Sequence, residues 1–177
     1  MLFSRVTPVA LLFALATSAL GAVNTKQTVD GLNDLQKRVI EARKSIEGWN
    51  GGLMGAIPVA SKIQTLQNTA ANTRRTIDQS DAFENDDQDA VMAAYQQLHP
   101  ELVGALNAAE QKIQAPAFKD AGVGFVARAM IEDLSAEKDK FKTAMQGKVP
   151  AESYRSVEPG MAEVDAAFDK TRKALAA

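Results

Sequence analysis

The sequence predicts an all-α fold, an antiparallel up-and-down bundle of about five long helices. Apolar residues recur every three or four positions over most of residues 23–177, which is the period of an amphipathic helix. No segment alternates apolar and polar residues as a half-buried strand does. The chain of 177 residues contains no cysteine, so helix packing must hold the fold together without disulfides.

The first 22 residues have the layout of a secretory signal peptide. Arg5 supplies a short basic region, an apolar run extends from Val9 to Ala16, and small residues follow up to Ala22. The apolar run is too short to span a bilayer permanently. We therefore predict a cleaved signal peptide at 1–22, a single helical-bundle domain at 23–177, and export of the protein without a transmembrane segment.

The first two helices of the predicted domain are amphipathic. The first covers about residues 27–48, and its apolar positions fall three or four residues apart on one face. The second carries its apolar face over residues 59–77. Pro58 fits the first turn of this helix, because a missing N–H is harmless there.

A glycine-rich segment connects these two helices. Residues 48–55 contain four glycines together with Trp49, Leu53 and Met54. Two interpretations are open. The segment is either a helix–helix connection with glycines at C-cap positions, or a mobile lid that carries the three apolar side chains.

The third predicted helix follows an acidic stretch. Residues 78–89 end the second helix and open the third, since carboxylates in a first turn complement the helix dipole. The apolar register then continues over residues 91–113. Pro100 lies inside this run, and because the register is unbroken across it, we predict a kinked continuous helix.

The remaining chain predicts a loop and two more helices. Residues 114–120 are expected to form the loop, and residues 123–147 the fourth helix. The last helical segment covers about residues 150–175. Pro159 interrupts it without changing the register, which predicts a second kink or a short break. The connections are short throughout, which favours antiparallel packing of consecutive helices.

Charge argues against binding to nucleic acid. The chain has 20 Lys and Arg residues against 22 Asp and Glu residues, a net charge of −2, and both signs are interspersed along it. A nucleic-acid-binding domain would carry a basic stripe or patch instead.

The residues that catalysis would need are largely missing. There is no cysteine, one histidine (His99) and no Gly-x-Ser-x-Gly motif, so we predict no enzyme and no catalytic residue. A di-metal site in a helical bundle needs Glu-x-x-His pairs that one histidine cannot supply. Asn85, Asp87 and Asp89 have the spacing of a calcium loop, but Gln96 stands where a bidentate Glu is needed. We predict no cofactor and no metal site.

Three segments carry a resemblance to a known family. They are Thr-Val-Asp-Gly-Leu-Asn-Asp-Leu at 28–35 with Trp49, Gln-Gln-Leu-His-Pro-Glu-Leu-Val-Gly-Ala-Leu at 96–106, and Lys-Val-Pro-Ala-Glu at 148–152 with Phe168. In a secreted, alanine-rich, cysteine-free helical domain, they resemble the fungal hydrophobic surface-binding protein A family. That family also includes the lipid-binding domains of cell-wall mannoproteins.

The resemblance implies a non-enzymatic secreted protein, extracellular or in the cell wall, that engages apolar material. In one mechanism, a pocket between helices takes up a fatty acid or similar lipid. In the other, amphipathic helices exposed by opening of the bundle adsorb to a hydrophobic solid and help to recruit a secreted esterase. The expected pocket lining comes from core positions, for which plain core packing is the alternative role: Leu66, Ala70, Met92, Tyr95, Leu106, Val126 and Met130.

A second function class stays open from the sequence. The chain could be a cell-wall structural protein, or a secreted protein-interaction module without a small-molecule ligand. The interior is rich in Ala, Val and Met and poor in aromatic residues. Such small residues either allow close helix packing or leave space for an apolar ligand, and the pattern fits both outcomes.

Overall fold

The structure is a computed structural model that describes the backbone of residues 9–177 and the side chains of residues 25–177. Residues 1–8 of the predicted signal peptide at 1–22 lie outside the described residues, and the backbone of residues 9–22 forms the start of the first helix, which therefore begins before the predicted residue 27. The peptide, its cleavage and its boundary with the domain at 23–177 therefore stay predictions.

Seven helices and no strands make up the described residues. Five helices are long and two are short. The long helices are α1 (Val9–Gly48), α2 (Leu53–Gln79), α3 (Asn85–Gln114), α5 (Gly124–Gln146) and α7 (Glu158–Ala176). The short helices are α4 (Pro116–Ala121) and α6 (Ala151–Arg155). The predicted all-α bundle of about five long helices is confirmed.

The five long helices pack in a closed ring. α1 packs against α2 and α3, α5 packs against α2 and α7, and α3 packs against α7. The order around the ring is thus α1, α2, α5, α7, α3. Although α2 and α3 are consecutive in the chain, they lie on opposite flanks of α1. The ring encloses an interior that all five helices can line.

The two prolines of the later helices have different positions. Pro100 lies inside α3, which continues without interruption to Gln114, so the predicted continuous helix is confirmed. Pro159 lies in the first turn of α7, directly after a break at residues 156–157. Of the two outcomes predicted for the last segment, the chain adopts the short break.

The second helix begins at Leu53, earlier than the predicted start near Pro58. Gly51 and Gly52 have φ angles of 104° and 78°, which glycine adopts without a steric penalty, and they complete the turn after α1. The N–H of Ala56 then donates to the Gly52 carbonyl at 3.2 Å, so helical bonding starts at once. Pro58 therefore lies inside the helix, and the helix tolerates one missing backbone donor.

A short helix replaces part of the loop predicted at 114–120. Pro116 begins α4, and Gly122, with a φ of 66°, ends it. Phe118 of this helix packs edge-to-face against Trp49, with the ring centroids 6.1 Å apart. Phe118 thus covers the indole ring, a contact that local sequence patterns do not contain.

The buried apolar side chains form two clusters. The larger one includes Leu32, Val39, Val91 and Met145, all fully or almost fully buried, and draws on every long helix. Tyr95 anchors it: its ring stacks on Phe141 at 5.8 Å, and its O–H donates to the Met161 sulfur at 2.9 Å. The smaller cluster joins α3, α5 and α7 through Leu106, Ile131, Val164, Ala167 and Phe168.

We expect Gly160→Ala to destabilise the fold by about 1–2 kcal/mol. A Cβ atom at Gly160 would lie 2.5 Å from Nδ1 of His99, on the facing helix α3. The imidazole is buried and packs against Tyr95 at 4.8 Å, so it has little room to move. Overpacking of this kind costs about 1–3 kcal/mol, and the better helix propensity of alanine offsets at most about 1 kcal/mol.

Urea unfolding measures this effect. Gly48→Ala is the matched control, because a Cβ atom there meets no atom within 4 Å, and its stability should stay at or slightly above wild type. Equal unfolding midpoints for the two variants would contradict the close approach of α3 and α7.

Candidate functional site

The main cavity of the bundle has a volume of about 230 Å³. It lies where α1 ends, α2 and α5 begin, and α3 and α4 meet. Every lining residue has a largely apolar side chain except Lys112. The lining comprises Ile46, Trp49, Leu53, Ala56, Ile57, Val59, Ala60, Ile63, Ala109, Lys112, Ile113, Phe118, Val123, Val126, Ala127, Met130 and Ile131.

The cavity opens to solvent between the first turns of α2 and α5. Three residues that line it, Leu53, Ile57 and Val126, are also 48–64% exposed. Met54 and Phe125 beside them are 78% and 85% exposed. Among the described side chains, these five are the only large apolar residues that are exposed. We call them the apolar rim.

The sequence around the rim explains why this surface is apolar. Residues 49–61 and 121–127 contain no charged side chain, in a chain whose residues are 24% charged. The fold places these two uncharged segments side by side at one end of the bundle. A contiguous exposed apolar patch of this kind is typical of an interaction surface.

Trp49 is held in place at the edge of the cavity. Its indole N–H donates to the Gly52 carbonyl at 3.2 Å, and its backbone carbonyl accepts a hydrogen bond from Nζ of Lys112 at 2.7 Å. The ring also lies so close to Gly55 that a Cβ there would be 3.1 Å from it. The glycines at 51, 52 and 55 thus let the chain turn tightly around the indole.

A second, smaller cavity of about 60 Å³ lies deeper in the ring. All five long helices line it, and its lining includes four polar side chains, Tyr95, His99, Glu137 and Lys138. The remaining lining residues are Leu35, Leu66, Ala70, Leu98, Leu102, Leu134, Phe141, Met161, Val164 and Phe168.

On α2 and α5, the linings of the two cavities come within about one helical turn of each other. Ile63 of α2 lines the main cavity and Leu66 lines the second, and on α5 the corresponding pair is Ile131 and Leu134. Three residues of an α-helix span about 4.5 Å along the helix axis. Leu106 belongs to the same apolar cluster as Ile131 and Leu134, which line the main and the second cavity respectively.

Burial shifts the pKa values of Tyr95 and His99, the two uncharged polar residues that line the second cavity. It raises the pKa of Tyr95 well above its ordinary value and lowers the pKa of His99. Both side chains are therefore neutral at neutral pH. Nε2 of His99 is buried and has no hydrogen-bond partner among the described residues.

The charged groups of the second cavity are paired. Glu137 accepts a hydrogen bond from Nε of Arg74 at 2.6 Å. Burial opposes the charge of Lys138, but its hydrogen bonds to Asp165 and Asp139 outweigh this and raise its pKa. Within the described residues, no group of His, Asp or Glu side chains is arranged to hold a metal ion.

Comparison with known proteins identifies the family. The sequence model of hydrophobic surface binding protein A matches residues 25–147, which include every residue that lines the main cavity. The chain belongs to this family. No curated protein matches the sequence. Among the residues that the structure describes, no helix of this family member is long and apolar enough to cross a bilayer.

Solved structures share the fold of this family member. A structure of Afmp4p in complex with palmitic acid is 20% identical, covers 85% of this chain and 99% of its own, and has a TM-score of 0.80. Ligand-binding domain 1 of the Penicillium marneffei MP1 protein, complexed with arachidonic acids, is 13% identical with a TM-score of 0.78, covering 86% and 98%. Ligand-binding domain 2, complexed with multiple arachidonic acids, is 18% identical with a TM-score of 0.76, covering 87% and 96%.

The structure divides the predicted pocket residues of this family member among three locations. Val126 and Met130 line the main cavity, whereas Leu66, Ala70 and Tyr95 line the second. Met92 and Leu106 are buried in the apolar clusters and line neither cavity. Their roles in ligand binding stay predictions.

The predicted lid residues also separate. Trp49 and Leu53 line the main cavity, and Met54 points to the outside as part of the rim. The lid hypothesis therefore concerns Trp49 and Leu53 most directly, and movement of the segment stays a prediction.

Most of the main cavity's lining was not anticipated from the sequence. Four alanines, at 56, 60, 109 and 127, line it, together with Phe118 and Lys112. The absence of charge over residues 49–61 and 121–127 is a signal that could have found Ala56, Ala60 and Ala127, but it does not reach Ala109, Lys112 or Phe118.

Proposed function

We propose that this protein is a non-enzymatic binder of apolar ligands, which takes the acyl chain of a fatty acid or similar lipid into its main cavity. The observation that supports this proposal best is the cavity's lining, which is apolar except at Lys112. Burial of each methylene group in such a lining contributes about 0.8 kcal/mol of binding free energy.

The size of the cavity indicates how a long chain is accommodated. Pockets for drug-sized ligands occupy about 300–1,000 Å³, and the main cavity has about 230 Å³. A long acyl chain would fill it and then displace the side chains around Leu106 and Ile131 to reach the second cavity. The complexes of the related folds with palmitic and arachidonic acids support this class of ligand.

The apolar rim supports the second half of the proposal, adsorption to hydrophobic surfaces. It is exposed in the closed bundle, so adsorption through it does not require the bundle to open. We further propose that the protein is secreted and acts outside the cell or in the cell wall, in keeping with the signal peptide that the sequence predicts. Recruitment of a secreted esterase, which the family resemblance implies, stays a prediction.

The main cavity contains its own optical probe. Trp49 is the only tryptophan of the chain and lines the cavity. Titration with palmitic acid should change its fluorescence saturably, and binding should raise the melting temperature because the ligand stabilises the folded state. Solvent extraction and mass spectrometry of the purified protein should also find bound lipid.

Unchanged fluorescence and melting temperature, with no lipid extracted, would contradict the cavity proposal. The second candidate would then be preferred, a cell-wall structural protein or protein-interaction module without a small-molecule ligand. The exposed rim is the observation that favours this candidate.

A further inference from the structure

Lys112 is the one charged residue in the lining of the main cavity. It lies in the last turn of α3, where a cation also complements the helix dipole. Its side chain is partly buried, and Nζ donates to the Trp49 carbonyl at 2.7 Å. An ammonium group has three donors, so this bond leaves two for another acceptor.

Two partly buried cations of the bundle have carboxylate partners, whereas Lys148, like Lys112, donates to a backbone carbonyl, that of Ser80. Arg74 pairs with Glu137 at 2.6 Å, and Lys138 pairs with Asp165. Lys112 forms no ion pair with any described residue, and the neighbouring Glu110 accepts instead from Gln114. Water can accept hydrogen bonds from such a partly buried ammonium group, but only an anionic ligand would balance its charge.

We propose that Lys112 binds the carboxylate of the ligand at the edge of the main cavity. This inference rests on the proposed function. It adds which residue binds the head group of the ligand and in which direction the acyl chain extends. The carboxylate lies beside Lys112 and the Trp49 carbonyl, and the acyl chain extends between α2 and α5 toward the second cavity. The site thus selects a free fatty acid over a neutral ester of the same chain length.

The opposite orientation is less favourable. A carboxylate in the second cavity would meet Glu137, and Lys138, the one cation of its lining, already pairs with Asp165. The ligand would also leave Lys112 unpaired beside its apolar tail. Both effects disfavour placing the head group at the deep end.

The test compares palmitic acid with methyl palmitate on the full-length domain, using Trp49 fluorescence and calorimetry. A charge-assisted hydrogen bond contributes enough for about a tenfold preference for the acid. Lys112→Met, which keeps an apolar stem, should bind the acid about tenfold more weakly and the ester unchanged. Lys112→Arg should keep the preference. Lys119→Met is the control, because Lys119 is exposed on α4 and does not line the cavity.

Each other outcome overturns the inference in a recognisable way. If Lys112→Met still prefers the acid, the head group lies elsewhere. If the variant loses acid and ester affinity equally, Lys112 only anchors the Trp49 segment. If the wild-type protein binds neither compound, the proposed function fails, and this inference fails with it.

Discussion

Replacing Ala127 by Phe is expected to reduce the affinity for palmitic acid more than tenfold while leaving the protein at least as stable as wild type. Ala127 is half-buried on α5 and lines the main cavity, so a ring there occupies space that the acyl chain needs. Exclusion of only two methylene groups would cost about 1.6 kcal/mol of binding free energy. Filling an apolar cavity commonly stabilises a fold by about 0.5–2 kcal/mol.

Fluorescence titration and thermal unfolding check both parts of this prediction. Ala129→Phe is the matched control, because Ala129 is exposed on the same helix and does not line the cavity. Its affinity should equal that of wild type. Loss of binding in both variants, or in neither, would argue that the acyl chain does not occupy the main cavity.

The double variant Met54→Gln, Phe125→Gln should adsorb to polyester particles more than tenfold less than the wild-type protein does. Burying one large apolar side chain contributes about 1.5–3 kcal/mol, and these two are the most exposed of the rim. Because neither residue lines the main cavity, the affinity for palmitic acid should change little. The two halves of the proposed function are therefore separable by mutation.

Depletion of protein from solution by the particles measures this effect. The control is the pair Ala129→Gln and Ala136→Gln, which adds the same polar groups at exposed positions of α5. The sequence suggested that adsorption requires the bundle to open and expose its amphipathic helices. If that mechanism operates, the rim variant should adsorb as well as its control.

The sequence predicted the helices well because helical periodicity is a local property. The run across Pro100 was visible in the spacing of apolar residues, and Gly147 indicated the end of the helix that stops at Gln146. The start of α2 was missed, since Pro58 suggested a first turn while the positive φ angles of Gly51 and Gly52 decided the boundary. The helix order around the ring was also not predictable, because it depends on which apolar faces meet.

The candidate site was predicted only in part for a related reason. Val126 and Met130 were found as apolar positions of a helix, but such a position does not reveal whether its neighbours fill the space beside it, and Val126 is in fact half-exposed. Alanines such as Ala60 and Ala127 permit close packing in one arrangement and leave a cavity in another. The unpaired state of Lys112 likewise depends on long-range placement of the acidic residues, which no local pattern contains.

Among the described residues, all large apolar side chains that are exposed lie at one end of the molecule. The two ends therefore differ in polarity. When that end rests on a waxy or polymeric solid, the remaining faces, with charges of both signs, turn toward the water. A layer of molecules in this orientation would make a water-repellent material wettable. The fold would thus act as a surfactant built from one folded chain, and it would do so without unfolding.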